Sequence, residues 1–154
     1  MKKLFTLLIL LTSLISYGQR KTDSKPFVGA TKIIVTNENK AEDNYKLSAK
    51  VLLDMDYAIE KSDKEFFQIY TEGVTVYGEG TTRVLTIYVL SRDNQITIVG
   101  KTKKKAALQL VNVPQDTENF EIMPFKNNKL LKDIFQKLSD FAMKLKGSSV
   151  IFSE

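Results

Sequence analysis

The sequence has no cysteine, no histidine and no tryptophan among its 154 residues. Without cysteine the chain has no disulfide, no thiolate metal ligand, no catalytic thiol and no site for N-terminal lipidation. Without histidine it lacks the side chain whose ordinary pKa suits proton transfer near neutrality, and also the commonest zinc ligand. These absences exclude nucleophilic catalysis by Ser-His or Cys-His pairs. We therefore predict that the protein is not an enzyme.

The remaining chemical motifs are weak. The Lys-Ser dipeptide at residues 61–62 cannot act as a catalytic pair, because adjacent residues of a strand point to opposite faces. The two aspartates within residues 54–56 lack the further oxygen ligands and the glycine of a calcium loop. The Gly-Glu-Gly segment at residues 78–80 has no following helix to cradle phosphate, which favours a hairpin tip. The sequence therefore predicts no cofactor and no catalytic or metal-binding residue.

The longest apolar run lies near the N-terminus, at residues 4–15, directly after two lysines. A membrane-spanning helix needs about 20 apolar residues, so this run is too short to serve as an anchor. Small residues at Ser16 and Gly18 suit signal peptidase and predict cleavage before Gln19. We expect a signal peptide at residues 1–18 and a periplasmic or secreted product that is not a lipoprotein and keeps no membrane span. An uncleaved anchor is the alternative.

The mature chain has the size of one domain. Removal of residues 1–18 takes away two lysines, leaving 136 residues with 21 basic and 18 acidic side chains. Because the chain has no disulfides, its stability depends on a packed core. We predict a flexible N-terminus at residues 19–28 and a single domain over residues 29–154.

The first half of the domain begins with a strand and a helix. Residues 31–36 are rich in β-branched side chains and predict a short strand. Apolar side chains recur at helical spacing over residues 39–55. Asn39 and Glu42 have the spacing of a capping pair at the start of this helix. Asp56 is expected to end it, since a short polar side chain tolerates the left-handed conformation.

The second half is predicted to be mainly strands followed by a helix. A wide apolar stripe predicts a helix over residues 129–146, stopped by Gly147. Strands are predicted at residues 57–61, 66–72, 83–92 and 95–103, with shorter extended pieces at 108–113, 120–125 and 150–152.

The strands at 83–92 and 95–103 form a predicted hairpin around Asp93-Asn94, a loop expected to have positive φ at both positions. A two-residue loop fixes the register and pairs Val89 with Ile98, Ser91 with Ile96, and Ile87 with Gly100. One face then carries Leu85, Ile87, Val89, Ile96 and Ile98. The other face is more mixed and carries Thr86, Tyr88, Leu90, Thr97, Val99 and Lys101.

These elements predict an α+β fold, with an antiparallel sheet of about five strands in βαββββα order and two helices packed on one face. Residues 52–60, followed by Asp63-Lys64 and residues 68–71, resemble a pattern shared by exported bacterial domains of TBP-like or helix-grip fold. Those domains include uncharacterised Bacteroidota proteins and, more distantly, domains of the BamC lipoprotein. In that pattern glycine stands where this chain has Asp56 and, after the acidic turn, Glu65-Phe66. The resemblance implies a fold and not an activity.

A run of four lysines within residues 101–105 is the strongest local concentration of charge. It suits an anionic partner, or else a solvated strand end that discourages aggregation. Predicted export and a total of three arginines argue against nucleic acid. Together with the mixed face of the hairpin, the run defines a candidate partner surface of Tyr88, Thr97, Val99, Lys101, Lys103, Lys104 and Lys105.

The sequence thus predicts an exported, noncatalytic binding or accessory protein of the cell envelope. Its expected partner is a protein or an anionic envelope component. A homodimer formed through the sheet is a further alternative. The alternative function is a carrier that holds a small apolar ligand between helix and sheet.

Overall fold

Two long strands, β6 (Thr81–Arg92) and β7 (Gln95–Lys105), form the hairpin at the centre of the sheet. The computed structural model describes residues 21–78, 81–105 and 119–154. All three residue pairs expected from a two-residue loop are present, so the predicted register is confirmed. The turn itself differs from the prediction, because only Asn94 has a positive φ, of 59°. The Asp93 carboxylate instead accepts a hydrogen bond from a backbone N–H at the start of a neighbouring helix.

Seven further strands and two helices surround this hairpin in the described part of the chain. They are β1 (Thr22–Asp23), β2 (Lys32–Thr36), α1 (Ala41–Asp54), β3 (Ile59–Asp63), β4 (Gln68–Thr71), β5 (Val74–Gly78), β8 (Glu121–Ile122), α2 (Lys129–Lys144) and β9 (Ser149–Ser153). The strand order is β1-β9-β2-β7-β6-β4-β3, with β5 beside β6 and β8 beside β7, and every pairing is antiparallel. The α+β class is confirmed, whereas nine strands replace the predicted five and change the predicted order.

The additional strands are too short or too irregular for the residue pattern to predict them. β1 and β8 contain two residues each, and their pairing uses backbone groups only. β5 continues along the edge of β6 that β4 occupies, but the register shifts by one residue between them. At this irregularity the buried Thr71 hydroxyl accepts a hydrogen bond from the Ile87 N–H at 2.9 Å. A side chain therefore replaces the backbone partner that the shift removes.

The chain ends of the domain also depart from expectation. β1 lies within the segment predicted to be flexible, residues 19–28, and pairs with β9. The extended piece expected at 150–152 is part of β9, which lies between β1 and β2 and not at an edge. The piece expected at 120–125 shrinks to β8, and the one expected at 108–113 lies outside the described residues.

Both helices pack on the same face of the sheet, as predicted, and share one core with it. The apolar side chains assigned to that face of the hairpin are all fully buried. Gly100 makes the close approach of α2 to β7 feasible, because a Cβ atom at this position would lie 2.6 Å from Leu138 Cδ1. The largest fully buried side chains are Phe135, Phe141, Ile33, Leu52, Ile69, Leu85, Ile87, Ile96, Ile98, Ile134, Leu138 and Leu145.

The N-terminus of α1 is held by residues distant in sequence, which corrects the predicted capping pair. The helix begins at Ala41, and its N-cap residue, Lys40, makes no side-chain capping bond. The Ala41 N–H instead donates to Asp93 Oδ1 at 2.8 Å. Asn39 lies outside the helix and accepts, through its main-chain oxygen, a hydrogen bond from the Asn94 N–H. The β6–β7 turn therefore caps α1.

The helix ends are partly as predicted. Asp56 follows α1 with a φ of 61°, which confirms the left-handed position. After α2 the left-handed residue is Lys146, with a φ of 52°, and not Gly147. Gly147 is small for another reason, since a Cβ atom there would meet Val35 and lie 2.6 Å from the Thr36 main-chain oxygen. The glycine therefore lets the chain pass closely over β2 into β9.

Candidate binding surface on the sheet

The face of the sheet that points away from α1 and α2, here called the distal face, carries the candidate surface. Side chains alternate between the two faces along each strand, so residues in register with Tyr88 and Val99 share this face. No helix of the described residues lies on it. Its geometry follows directly from the strand pairing.

One row of side chains crosses five strands of the distal face. Successive pairings place Lys32 on β2 opposite Val99, Val99 opposite Tyr88, Tyr88 opposite Tyr70 on β4, and Tyr70 opposite Lys61 on β3. Four strand spacings separate the two lysines, which is about 19 Å at the usual spacing of neighbouring strands. We call these five residues the cross-strand row. It has an aromatic centre and a cation at each end.

The centre of the row is a ring pair with a cation over it. The Tyr70 and Tyr88 rings have centroids 4.7 Å apart and planes inclined by 37°. The Lys101 ammonium lies 5.3 Å from each ring centroid. Both distances are within the range in which a ring quadrupole attracts a cation. An anion bound next to the two rings would therefore contact the Lys101 ammonium.

The environment of Tyr88 is partly dehydrated. Burial raises the pKa of the Tyr88 hydroxyl above its usual value, the neighbouring Tyr70 adds to the rise, and Arg92 opposes it. The phenol is consequently neutral at physiological pH. Beside it Val99 and Thr86 are 5% and 7% exposed, so they form the floor of the surface and do not protrude.

The structure brings together most of the predicted surface residues and separates one of them. Tyr88, Thr97, Val99, Lys101 and Lys103 share the distal face. Lys103 lies with its ammonium 5.0 Å from the Phe120 ring centroid. Lys104 pairs with Arg83 and therefore lies on the other face, because it is adjacent to Lys103 on one strand. The side chain of Lys105 lies outside the described residues.

Sequence reasoning missed three members of the cross-strand row. Tyr70, Lys61 and Lys32 belong to strands whose neighbours in the sheet are set by the whole fold. Alternation within each strand was a usable signal for the face, but it does not tell which strands are adjacent. The pairing of β4 with β6 supplies that information.

The distal face is strongly basic. At the strand positions in register with it, one residue is acidic, Asp63 at the end of β3. The Lys32 ammonium already donates to the Glu154 main-chain oxygen at 3.1 Å, which fixes one end of the row. The six basic residues at these strand positions are Lys32, Lys61, Arg92, Lys101, Lys103 and Lys105.

Two other features bear on function. A groove of about 580 Å³ lies between the β5–β6 hairpin and the start of α2, lined by residues that include Tyr77, Arg83 and Asn128. The Asn128 side chain is engaged there, accepting from the Leu131 N–H at 2.8 Å as the helix cap. Neither helix in the described ranges has the length and apolar character needed to cross a membrane.

Over the residues that the structure describes, the chain forms a mixed α/β domain in which two helices cover one face of a nine-stranded antiparallel sheet. Neither a protein-family model nor a curated protein matches the chain. Among solved structures it is similar to one described as a TBP-like protein from Parabacteroides distasonis ATCC 8503, with 14% sequence identity and a TM-score of 0.40. That match covers 80% of this chain and 92% of the other. A likeness at this level assigns neither family nor function, so the TBP-like domain stays a prediction.

Proposed function

We propose that this chain is an exported, noncatalytic binding module of the cell envelope, built on a TBP-like domain, and that it acts through the distal face. The observation that carries the proposal is the cross-strand row, where a close tyrosine pair lies under Lys101 and between two further lysines. A solvated sheet face needs no such arrangement, because separate polar side chains would serve equally well. Tyrosine is enriched at surfaces that bind partners, and the lysines around this half-buried pair attract anionic groups.

The residues of this surface favour binding over catalysis. Lysine and tyrosine are present, but no histidine or cysteine accompanies them anywhere in the chain. Burial raises the pKa of the Tyr88 phenol, so less of the basic phenolate form is present at neutral pH. A binding module needs a surface complementary to its partner, and the lysines of the distal face offer complementary charge to an anionic one.

The alternative function, a carrier of an apolar ligand between helix and sheet, would have to use the groove between the β5–β6 hairpin and the start of α2. The position where a ligand would separate α2 from β7 is occupied by the contact between Leu138 and Gly100. Leu138 is 1% exposed, and the large side chains around it are equally buried. Native mass spectrometry of the purified protein tests this alternative directly, and a co-purified lipid would favour it.

A retention experiment tests the proposed function. Immobilised protein is incubated with envelope material from the producing organism, in parallel with the Lys101→Glu and Lys104→Glu variants. The two lysines lie on opposite faces of β7, three residues apart, so Lys104→Glu is a matched control for the change of net charge. We expect material retained by the unmodified protein and by Lys104→Glu, and lost with Lys101→Glu. Equal retention by all three proteins would reject the distal face as the binding surface.

Export is tested separately. The full chain is expressed in a Bacteroidota host, the cells are fractionated, and the intact mass of the product is measured. The expected mass is that of a chain beginning at Gln19, recovered from the periplasm or the medium. A product of full-length mass in the membrane fraction would contradict the predicted cleavage.

A further inference from the structure

The direction of the cross-strand row limits the kinds of partner that it can bind. It runs perpendicular to the strands, through the middle of the sheet, from Lys32 to Lys61. A peptide that binds a sheet by backbone pairing lies along an edge strand and parallel to it. The row offers side chains only, spread over about 19 Å. It therefore fits an extended polymer that lies across the strands and is recognised through its substituents.

The chemistry of the row specifies two kinds of group on that polymer. Tyrosine ring faces carry negative partial charge and attract polarised C–H groups, such as those on the faces of sugar rings. The ammonium groups of Lys61 and Lys101 attract anions. An alternation of C–H-rich rings and negative charges along one chain satisfies both requirements. A polysaccharide of acidic sugars has this pattern.

Other anionic partners fit less well. A membrane surface is held by a cluster of protruding apolar side chains. Ile122, in register with Lys101 at one side of the distal face, is 50% exposed, but Val99 and Thr86 at the centre of the face are almost completely buried. Nucleic acids are bound by lysine and arginine at the phosphates and by aromatic rings that stack on bases, so it is the predicted export of the chain that favours an envelope polymer over nucleic acid. An acidic peptide remains as the competing occupant, and the experiment includes it.

We propose that the cross-strand row, together with the neighbouring Lys101, binds a carboxylated polysaccharide, with its sugar rings against Tyr70 and Tyr88 and its carboxylates beside Lys61 and Lys101. This inference rests on the proposed function of the distal face and adds the chemical class of the partner. The Lys101 ammonium is 5.3 Å from each ring centroid, so a carboxylate of a sugar bound against the rings would lie beside it.

The test is a binding titration with a defined oligogalacturonate. Its methyl ester, which has the same backbone without charge, serves as the neutral control, and a polyglutamate peptide and anionic phospholipid vesicles serve as competitors. We expect binding that weakens as salt is raised, because the contacts are between exposed charges. The ester, the peptide and the vesicles should bind at least about tenfold more weakly than the oligogalacturonate.

Variants then locate the binding site. The double variant Tyr70→Leu/Tyr88→Leu should weaken binding by about tenfold or more, in line with the contribution of stacking on aromatic side chains. Lys61→Gln/Lys101→Gln should weaken it by about fivefold, as expected for exposed charge pairs. Lys104→Gln, on the other face of β7, should change it less than about twofold. If the tyrosine variant unfolds, the lysine variants decide the test, because their side chains are outside the core.

Several results would overturn this inference. These are no binding, equal binding of the methyl ester, tighter binding of polyglutamate or vesicles, and an effect of Lys104→Gln as large as that of Lys61→Gln/Lys101→Gln. Retention of envelope material that depends on Lys101, found together with no binding of oligogalacturonate, would reject the polysaccharide and leave the proposed function standing. Loss of both signals would reject both proposals.

Discussion

Replacement of Asn44 by alanine should be the most destabilising polar substitution on α1. Asn44 is fully buried and joins three segments of the chain. Its Nδ2 donates to the Arg92 main-chain oxygen at 2.9 Å and to the Asn39 main-chain oxygen at 3.4 Å. Its Oδ1 accepts from Asn37 Nδ2 at 2.6 Å and from Asn39 Nδ2 at 3.3 Å. The side chain thereby connects the start of α1 to the end of β6.

The magnitude follows from the two shorter bonds. Each net hydrogen bond contributes about 1 kcal/mol, and a buried group left without its partner costs about 1–3 kcal/mol. Asn44→Ala removes both bonds and leaves the Arg92 oxygen and the Asn37 amide without their shared partner. We therefore expect a loss of about 2–4 kcal/mol in the free energy of unfolding.

Ser48 provides a matched control one turn further along the same helix. It is also fully buried, but its hydroxyl has no hydrogen-bond partner among the described residues. Ser48→Ala removes a buried polar group that makes no bond and adds a better helix former, so stability should rise by about 1 kcal/mol. Both variants are measured by urea denaturation at 25 °C, followed by circular dichroism at 222 nm. Equal losses in the two variants, or a loss below about 1 kcal/mol for Asn44→Ala, would refute this reasoning.

Three further predictions concern packing, capping and ionisation. Gly100→Ala should cost about 1–3 kcal/mol by overpacking against Leu138, and Leu138→Ala about 2–5 kcal/mol by opening a cavity. In the urea double-mutant cycle their combination should cost less than the sum, and simple additivity would contradict the contact. Asp93→Ala should cost about 1 kcal/mol through the lost cap of α1, measured by thermal denaturation, whereas an unchanged Tm would show that the cap contributes nothing. Because the folded-state pKa of Tyr88 is raised, its contribution to stability is present below the unfolded pKa near 10 and is lost as the pH rises through the folded value. Burial raises the pKa of Tyr57 as well, so ultraviolet titration of the phenols should show two late transitions. The one from Tyr88 should move to lower pH in Tyr70→Phe and would stay in place if Tyr70 had no influence.

The hairpin shows how far the sequence alone can lead. Strand alternation and a two-residue turn are local signals that agree with each other, and together they determine every cross-strand pair of β6 and β7. The apolar stripe of α2 is equally local, and its helix lies at Lys129–Lys144 as expected within two residues. Signals of this kind depend on neighbours in sequence, so they survive without knowledge of the tertiary structure.

Interactions between distant segments could not be predicted in the same way. The cap of α1 comes from Asp93, which is 52 positions away in sequence. The pairing of Tyr70 with Tyr88 depends on β4 adding to the edge of β6, and that is determined by the topology of the whole sheet. Lys104 is a different case, because alternation along β7 already places it opposite to Lys103. The sequence prediction groups Lys104 with its neighbouring lysines by charge, although the alternation places its side chain on the opposite face.

The central claim, that the distal face is the binding surface, is tested most directly by fluorine NMR of protein labelled with 3-fluorotyrosine. Tyr45 and Tyr57 are buried in the core, whereas Tyr70 and Tyr88 lie on the distal face. On addition of oligogalacturonate we predict shifts in the resonances of Tyr70 and Tyr88, assigned with single Tyr→Phe variants, while those of Tyr45 and Tyr57 stay in place. Shifts confined to Tyr45 and Tyr57 would contradict the claim. Resonances of Tyr70 and Tyr88 that stay unchanged both with oligogalacturonate and with saturating envelope material would contradict it too.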